Sequence, residues 1–146
     1  MSNDAALYVA LGILAGMYLF NRTGYSPGGI ITPGLLAMDL ADPGRLAAVF
    51  ACAGVTALLL ALAVRAAGVY GRQRTALAML IAILARAALG FLFPAAPHWS
   101  GWVIPGLIGA DMERQGVLPT AAASLAAAFA ASMAAGLIIT LSGAAL

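Results

Sequence analysis

The residues of this chain that could do chemistry are few, and most are charged groups near Pro-Gly pairs. Asp39 and Asp111 each follow such a pair, and Arg86 lies in the apolar run MLIAILARAALGFLF. An arginine at the centre of a bilayer costs at least about 2.5 to 3.5 kcal/mol when it faces lipid, so Arg86 is expected to face protein, water or a carboxylate. Asp39 or Asp111 would be its counter-ion in a polar passage. A structural salt bridge, or a side chain that reaches the membrane interface, is the alternative of equal weight.

Motifs for catalysis or metal binding are missing from the sequence. His98 is the only histidine and Cys52 the only cysteine, so no set of ligands has the spacing of a zinc or iron site. There is no nucleophile elbow and no glycine-rich loop that carries the lysine of a nucleotide site. We therefore expect no metal and no cofactor in this chain, and no binding of ATP by this chain alone.

The composition is that of a membrane protein. Of the 146 residues, 64% are apolar and 8% are charged, the formal net charge is +2, and the mean hydropathy is +1.03. The charged residues are too few to cover a water-soluble surface. The net positive charge is too small to indicate nucleic-acid binding. These numbers exclude a soluble globular enzyme.

Four apolar segments are each long enough to cross or nearly cross a bilayer core of about 30 Å. They are Ala5 to Phe20, Leu46 to Val69, Thr75 to Phe93 and Leu118 to Leu146. We predict an all-α integral membrane protein with about four transmembrane helices in a single membrane domain, residues 1–146. Because the fourth segment is rich in alanine and serine, it favours close helix contact and predicts a homo-oligomer or a membrane partner.

The two halves of the chain resemble each other at an offset of 72 residues. Pro33 aligns with Pro105, and the same offset pairs seven further positions of identical or similar type: Gly29 with Gly101, Gly34 with Gly106, Leu35 with Leu107, Leu36 with Ile108, Asp39 with Asp111, Gly44 with Gly116 and Leu46 with Leu118. The pattern predicts an internal duplication, with repeat one at about residues 5–70 and repeat two at about 75–146. If the Pro-Gly segments do not cross the bilayer, each half has two spans and the repeats are parallel.

Each Pro-Gly pair is typical of the start of a short helix, because proline is tolerated at the first helical position. Thr32 is expected to cap the first such helix, which would run from Pro33 to about Asp42 and is too short to cross the bilayer. Re-entrant or interfacial half-helices present unpaired N–H groups to anions, whereas the alternative is an ordinary loop. The residues predicted to line a path or form half-helix sites are Thr32, Pro33, Gly34, Asp39, Arg86, Pro105, Gly106 and Asp111.

The middle loop has the highest density of positive charge. Residues 65–74 contain three arginines, Arg65, Arg72 and Arg74, which the positive-inside tendency places in the cytoplasm together with both termini. In a four-span arrangement the opposite side of the membrane would hold an equal number of arginines, namely Arg22, Arg45 and Arg114.

Several motifs resemble those of a known family, in order and over nearly the whole chain. They are the run Tyr8 to Phe20 followed by Thr23-Gly24, then Pro27-x-Gly29-x-x-x-Pro33-Gly34-x-Leu36, Tyr70-Gly71-Arg72, Phe91-x-Phe93-Pro94, and Pro105-Gly106-Leu107-Ile108 with Gln115-Gly116. This pattern resembles the PgsC (CapC) family of poly-γ-glutamate and capsule biosynthesis membrane proteins. The fourth apolar segment and the acidic residues Asp111 and Glu113 depart from the family pattern.

The resemblance implies a non-catalytic subunit of a poly-γ-glutamate synthase complex in a bacterial-type cytoplasmic (inner) membrane, with several passes through it. Its partners would be a PgsB/CapB-like ATP-dependent amide ligase, which carries the ATP and Mg, and a PgsA/CapA-like membrane-anchored protein. The chain would dock the ligase, for which Arg65, Arg72 and Arg74 are the candidates, and assist synthesis and export of the polyanionic polymer. Contact of these arginines with lipid headgroups is an equal alternative, and a freestanding small transporter or channel, or a structural scaffold, is the alternative function.

Overall fold

The computed structural model describes residues 3–68, 71–92 and 103–143, and these form six α-helices joined by short connections. They are α1 (Asn3–Thr23), α2 (Thr32–Asp39), α3 (Pro43–Ala67), α4 (Arg72–Leu92), α5 (Val103–Gln115) and α6 (Val117–Gly143). The all-α prediction is confirmed for the part of the chain that the structure describes.

Three helices are long and apolar enough to cross a membrane: Asp4–Thr23, Pro43–Ala66 and Val117–Ser142. They correspond to the first, second and fourth predicted spans, and they support an integral membrane protein. The third predicted span, residues 75–93, falls on α4, where several side chains towards the end of the helix lie outside the described residues. The count of four spans therefore stays a prediction.

The helix boundaries follow local chemistry. The Asp42 carboxylate accepts a hydrogen bond from the Arg45 N–H (3.1 Å) and Pro43 takes the first helical position, so α3 begins before the predicted Leu46. The prediction that Thr32 caps α2 is wrong. Ile31 occupies the cap position without a side-chain bond, and the Thr32 hydroxyl donates instead to the Gly28 carbonyl (2.5 Å).

The Pro-Gly start of α2 packs against the middle of α1. A Cβ added at Gly34 would lie 2.6 Å from the Cα of Val9, and Gly12 touches the Gly34 backbone so closely that neither position has room for a side chain. At its other end, Leu40, just past α2, lies in the same cleft as Asp4 near the start of α1. α2 therefore runs antiparallel to α1, from its middle to its beginning.

The second Pro-Gly helix makes the equivalent contact with α4. A Cβ added at Gly106 would lie 2.9 Å from the Cα of Met79, near the middle of α4. Further along, Glu113 forms an ion pair with Arg74 in the first turn of α4. α5 therefore also runs antiparallel to the long helix that precedes it, from its middle to its beginning.

These contacts determine the direction of every helix. Since α1 ends at Thr23 and α2 starts at the middle of α1, residues 24–31 return halfway and α2 completes the passage. The helices α4, α5 and α6 thus run opposite to α1, α2 and α3 respectively. The two halves are therefore antiparallel rather than parallel, whereas the number of membrane crossings and the duplication itself stay predictions.

The core lies where α2 and α5 contact the long helices of the other half, α6 and α3. Its fully buried side chains include Leu36, Val49 and Ile108, together with small residues of α6 such as Ala128. A Cβ added at Gly109 would lie 2.9 Å from the Ala53 carbonyl oxygen. Close helix approach through small residues holds the molecule together, as is usual where lipid removes the hydrophobic drive for association.

We predict that Gly12→Ala lowers the free energy of unfolding by about 1 to 3 kcal/mol, because the new methyl group would overlap the α2 backbone. Thermal unfolding of the purified protein in detergent measures the effect. Gly54→Ala is the matched control, since a Cβ there meets nothing within 4 Å. Equal melting temperatures for the two variants would contradict the close contact of α1 with α2.

Candidate functional site

The charged residues divide between the two ends of the molecule. The arginine end is formed by the end of α1, the α3–α4 connection and the end of α5, and its charged residues are Arg22, Arg65, Arg72, Arg74, Asp111, Glu113 and Arg114. The acidic end is formed by the start of α1 and the α2–α3 connection, and carries Asp4, Asp39, Asp42 and Arg45. Arg22 and Arg114 thus lie on the same side as the middle loop, contrary to the equal split expected from four spans.

At the acidic end, Arg45 bridges two carboxylates. Its guanidinium lies 3.3 Å from Asp39 and 3.1 Å from Asp42. Asp39, which was predicted to line a path or to balance Arg86, is mostly buried and forms this pair at the end of α2. Because Arg45 is half exposed, the pair is screened and contributes at most about 1 kcal/mol.

At the arginine end, Asp111 takes part in a polar cluster. Its carboxylate accepts a hydrogen bond from the Ser26 hydroxyl, and the Arg114 guanidinium lies 3.5 Å away. Asp111 was predicted as a path residue; the structure gives it two partners near the end of α5, where residues 24–31 begin their return.

Gln115 is the centre of this cluster. Its amide oxygen accepts a hydrogen bond from the Ser26 N–H (3.0 Å). Its amide nitrogen donates hydrogen bonds to the Ser26 carbonyl (2.5 Å) and to the Thr120 hydroxyl (3.0 Å). One turn further, the buried Ser124 hydroxyl donates to the Pro27 carbonyl (2.9 Å). These side chains bond the non-helical backbone of residues 24–31 to α5 and α6, as backbone at membrane depth requires.

Sequence reasoning missed Ser26, Gln115, Thr120 and Ser124 as a set. A signal was present, because Thr120 and Ser124 are four residues apart and so share one face of α6. Nothing in the spacing indicated that Gln115 would bond Ser26, or that Ser124 would bond the Pro27 carbonyl, each roughly ninety residues earlier in the chain.

The predicted half-helix sites are buried and packed by carbon atoms. Thr32, Pro33 and Pro105 are each less than 2% exposed, and Gly34 and Gly106 contact the α1 and α4 backbones. Gly28, in the extended segment, packs directly on Ile108 of α5. Neighbouring helices cover these helix starts in the described part of one chain, and the role of these five residues in a path or anion site stays a prediction.

The arginines predicted to dock a ligase differ in their surroundings. Arg65 and Arg72 are exposed, whereas Arg74 is mostly buried in its ion pair with Glu113. Arg86 lies in α4, but its side chain lies outside the described residues, so its function in a path stays a prediction. Among the residues that the structure describes, no group of three or more His, Cys, Asp or Glu residues is placed to hold a metal ion.

Comparison with known proteins gives a consistent result. The family model described as "Capsule biosynthesis CapC" matches residues 11–121. The chain is 28% identical to the PGA biosynthesis protein CapC of Bacillus subtilis (strain 168) over 128 residues, which cover 82% of this chain and 86% of that protein. It is 27% identical to the capsule biosynthesis protein CapC of Bacillus anthracis over 122 residues, covering 79% and 82%. No solved structure shows a significant match.

We predict that Gln115→Met lowers the free energy of unfolding by about 1 to 3 kcal/mol, because the Ser26 N–H and carbonyl are left without their partners at membrane depth. Thermal unfolding in detergent provides the measurement, and Gln73→Met is the control because Gln73 is exposed on α4. If both substitutions had the same small effect, Gln115 would not hold residues 24–31 in place.

Proposed function

The chain belongs to the CapC family of capsule biosynthesis, and we propose that it is the membrane subunit of a poly-γ-glutamate synthase complex. In this proposal it docks an ATP-dependent amide ligase and assists polymer synthesis and export, while the ligase carries the ATP and Mg. The observation that carries the proposal beyond family membership is the unequal charge of the two ends of the molecule.

The arginine end is proposed to face the cytoplasm. Five arginines lie there against one, Arg45, at the acidic end, and cytoplasmic segments of membrane proteins carry the excess of arginine and lysine. Both termini would then lie outside the cytoplasm, because three passages separate each of them from the middle connection. The chain would thus be a multi-pass protein of the inner membrane.

This orientation supports docking of a cytosolic ligase at the connection between α3 and α4. Arg65 and Arg72 are exposed there and available to acidic side chains of a partner. Arg74 fixes α4 to α5 through Glu113, so its contribution to docking would be indirect. A PgsA/CapA-like partner would approach from the opposite, acidic end.

The proposed duplication gains support from matched packing. The contact of Gly34 with α1 has its counterpart in the contact of Gly106 with α4. Packing of α2 on α6 likewise has its counterpart in packing of α5 on α3. We propose that the two repeats, at about residues 5–70 and 75–146, have opposite orientation in the membrane, with a broken helix crossing in each.

A polymer path, in this proposal, does not run through the half-helix starts of one chain, because those are filled by packing. It would run past Arg86 or between copies of a homo-oligomer. Small residues on α6 permit such copies to approach closely: a Cβ added at Gly136 meets nothing within 4 Å.

The alternative functions are a freestanding small transporter or channel and a purely structural scaffold. A freestanding transporter would act without a ligase, whereas the proposed synthase subunit would be active only together with one. A scaffold differs because substitution of an intramembrane polar residue such as Arg86 would leave activity unchanged once the complex had formed.

The test is ATP-dependent incorporation of labelled glutamate into polymer by membranes that contain the partner ligase, with and without this chain. We expect incorporation to fall to background without the chain. Full synthesis with product retained on the ligase side would restrict the chain to export, and an absence of glutamate polymer in both cases would favour the freestanding transporter.

The same membranes test docking. Arg65→Gln combined with Arg72→Gln is expected to reduce ligase co-purification about fivefold, since two exposed ion pairs contribute about 1 kcal/mol together. Arg45→Gln, at the acidic end, is the control and should have no effect. Equal retention of the ligase by both variants would contradict docking at the arginine end.

A further inference from the structure

A cleft of about 430 Å³ opens between the second half of α1 and the extended residues 24–31. It is lined by Gly16 and Gly29 and by the apolar side chains of Met17, Phe20 and Ile30. These three apolar side chains are each about half exposed or more. The polar cluster around Gln115 lies beside the cleft but uses none of these side chains.

The cleft runs along the membrane normal. Gly16 lies near the middle of α1, and Asn21, at the mouth, lies near the end of α1, about 7 Å further along the helix axis. In the orientation proposed above, the cleft therefore lies in the cytoplasmic half of the bilayer and opens towards the headgroup layer.

One cation, Arg114, lines the mouth of the cleft. Its side chain is 59% exposed, and its ion pair with Asp111 is long, at 3.5 Å. The Asp111 carboxylate also accepts a hydrogen bond from the Ser26 hydroxyl. The guanidinium of Arg114 thus keeps exposed N–H groups at the mouth of the cleft. Two parallel N–H groups of a guanidinium match two oxygens of a phosphate.

We propose that this cleft binds one acyl chain of an anionic phospholipid, with the lipid phosphate on Arg114. An apolar wall below a single exposed cation fits a molecule with a hydrocarbon chain below a phosphate. A glutamate polymer has no hydrocarbon chain to occupy the walls, so it does not fit this cleft. The other arginines at the same end favour a net negative headgroup over a zwitterionic one. The proposal rests on the cytoplasmic orientation of the arginine end but not on any role in polymer synthesis.

The lipid would also cover residues 24–31 on the side that faces away from α5. Ile30 and Ile31 are 65% and 50% exposed, in a segment without helical hydrogen bonding. Such backbone is stable at membrane depth only where it is covered. An acyl chain along Phe20 and Ile30 would exclude water from this side of the segment.

The experiment is native mass spectrometry of the purified full chain in detergent, titrated with dioleoyl phosphatidylglycerol and, separately, with dioleoyl phosphatidylcholine. We expect phosphatidylglycerol to bind with a dissociation constant about tenfold lower than that of phosphatidylcholine. Arg114→Gln should raise the dissociation constant for phosphatidylglycerol about tenfold, as expected for loss of a charge-assisted hydrogen bond. Arg72→Gln, at the same end but away from the cleft, should change it less than twofold.

Two further measurements test the hydrocarbon part of the site. Phe20→Ser, which makes the wall polar, should weaken phosphatidylglycerol binding several-fold, whereas Leu118→Ser, at an 82% exposed apolar position outside the cleft, should not. Glycerol phosphate, which has the anion without the chains, should not compete.

Three results would overturn the assignment. Equal losses for Arg114→Gln and Arg72→Gln would mean diffuse attraction to the arginine end. Equal affinity for the two lipids would mean that the charge of the headgroup does not contribute to binding. Competition by glycerol phosphate would mean a site for a free anion. Because the titration involves neither ligase nor polymer, each of these results leaves the proposed synthase role to be judged by its own experiment.

Discussion

The structure depends on one constraint: backbone N–H and C=O groups that lie at membrane depth must be bonded or covered by protein. Ser26 and Pro27, in the segment between α1 and α2, meet it without forming a helix. Gln115 bonds both backbone groups of Ser26, and Ser124 bonds the Pro27 carbonyl. Since this segment can lie against α5, the chain returns to the middle of α1 before α2 begins, and the direction of every later helix follows.

Glycine residues make the close contacts of this arrangement possible. Gly12 and Gly34 let two helix backbones touch, and Gly28, at a φ of +81°, places the extended segment directly on Ile108. In a bilayer, close packing of small residues replaces the hydrophobic effect as the source of helix association. The close contacts at the Pro-Gly starts therefore position α2 and α5 against the long helices.

Apolar run length and Pro-Gly chemistry were enough to predict the helical membrane fold and the start of α2 at Pro33 to within one residue. They did not reveal that residues 24–31 return to the middle of α1, so that α2 ends beside the start of α1, because that return depends on the contact of Ser26 with Gln115, about ninety residues away. The return places Arg22 and Arg114 at the same end of the molecule as the start of α4. With these two arginines moved, an apparently balanced charge distribution becomes five against one, and this asymmetry supports a cytoplasmic docking surface for a CapC-family subunit.

The most direct test of this account is the side of the membrane on which each end of the molecule lies. In a Cys52→Ala background, Gln73→Cys and Ser142→Cys each introduce one exposed thiol, in the first turn of α4 and the last turn of α6. We predict that a membrane-impermeant maleimide added to intact cells labels the cysteine at position 142, and reaches the one at 73 only after permeabilisation. Labelling of both from the same side would contradict the structure, which places the start of α4 and the end of α6 at opposite ends of the molecule.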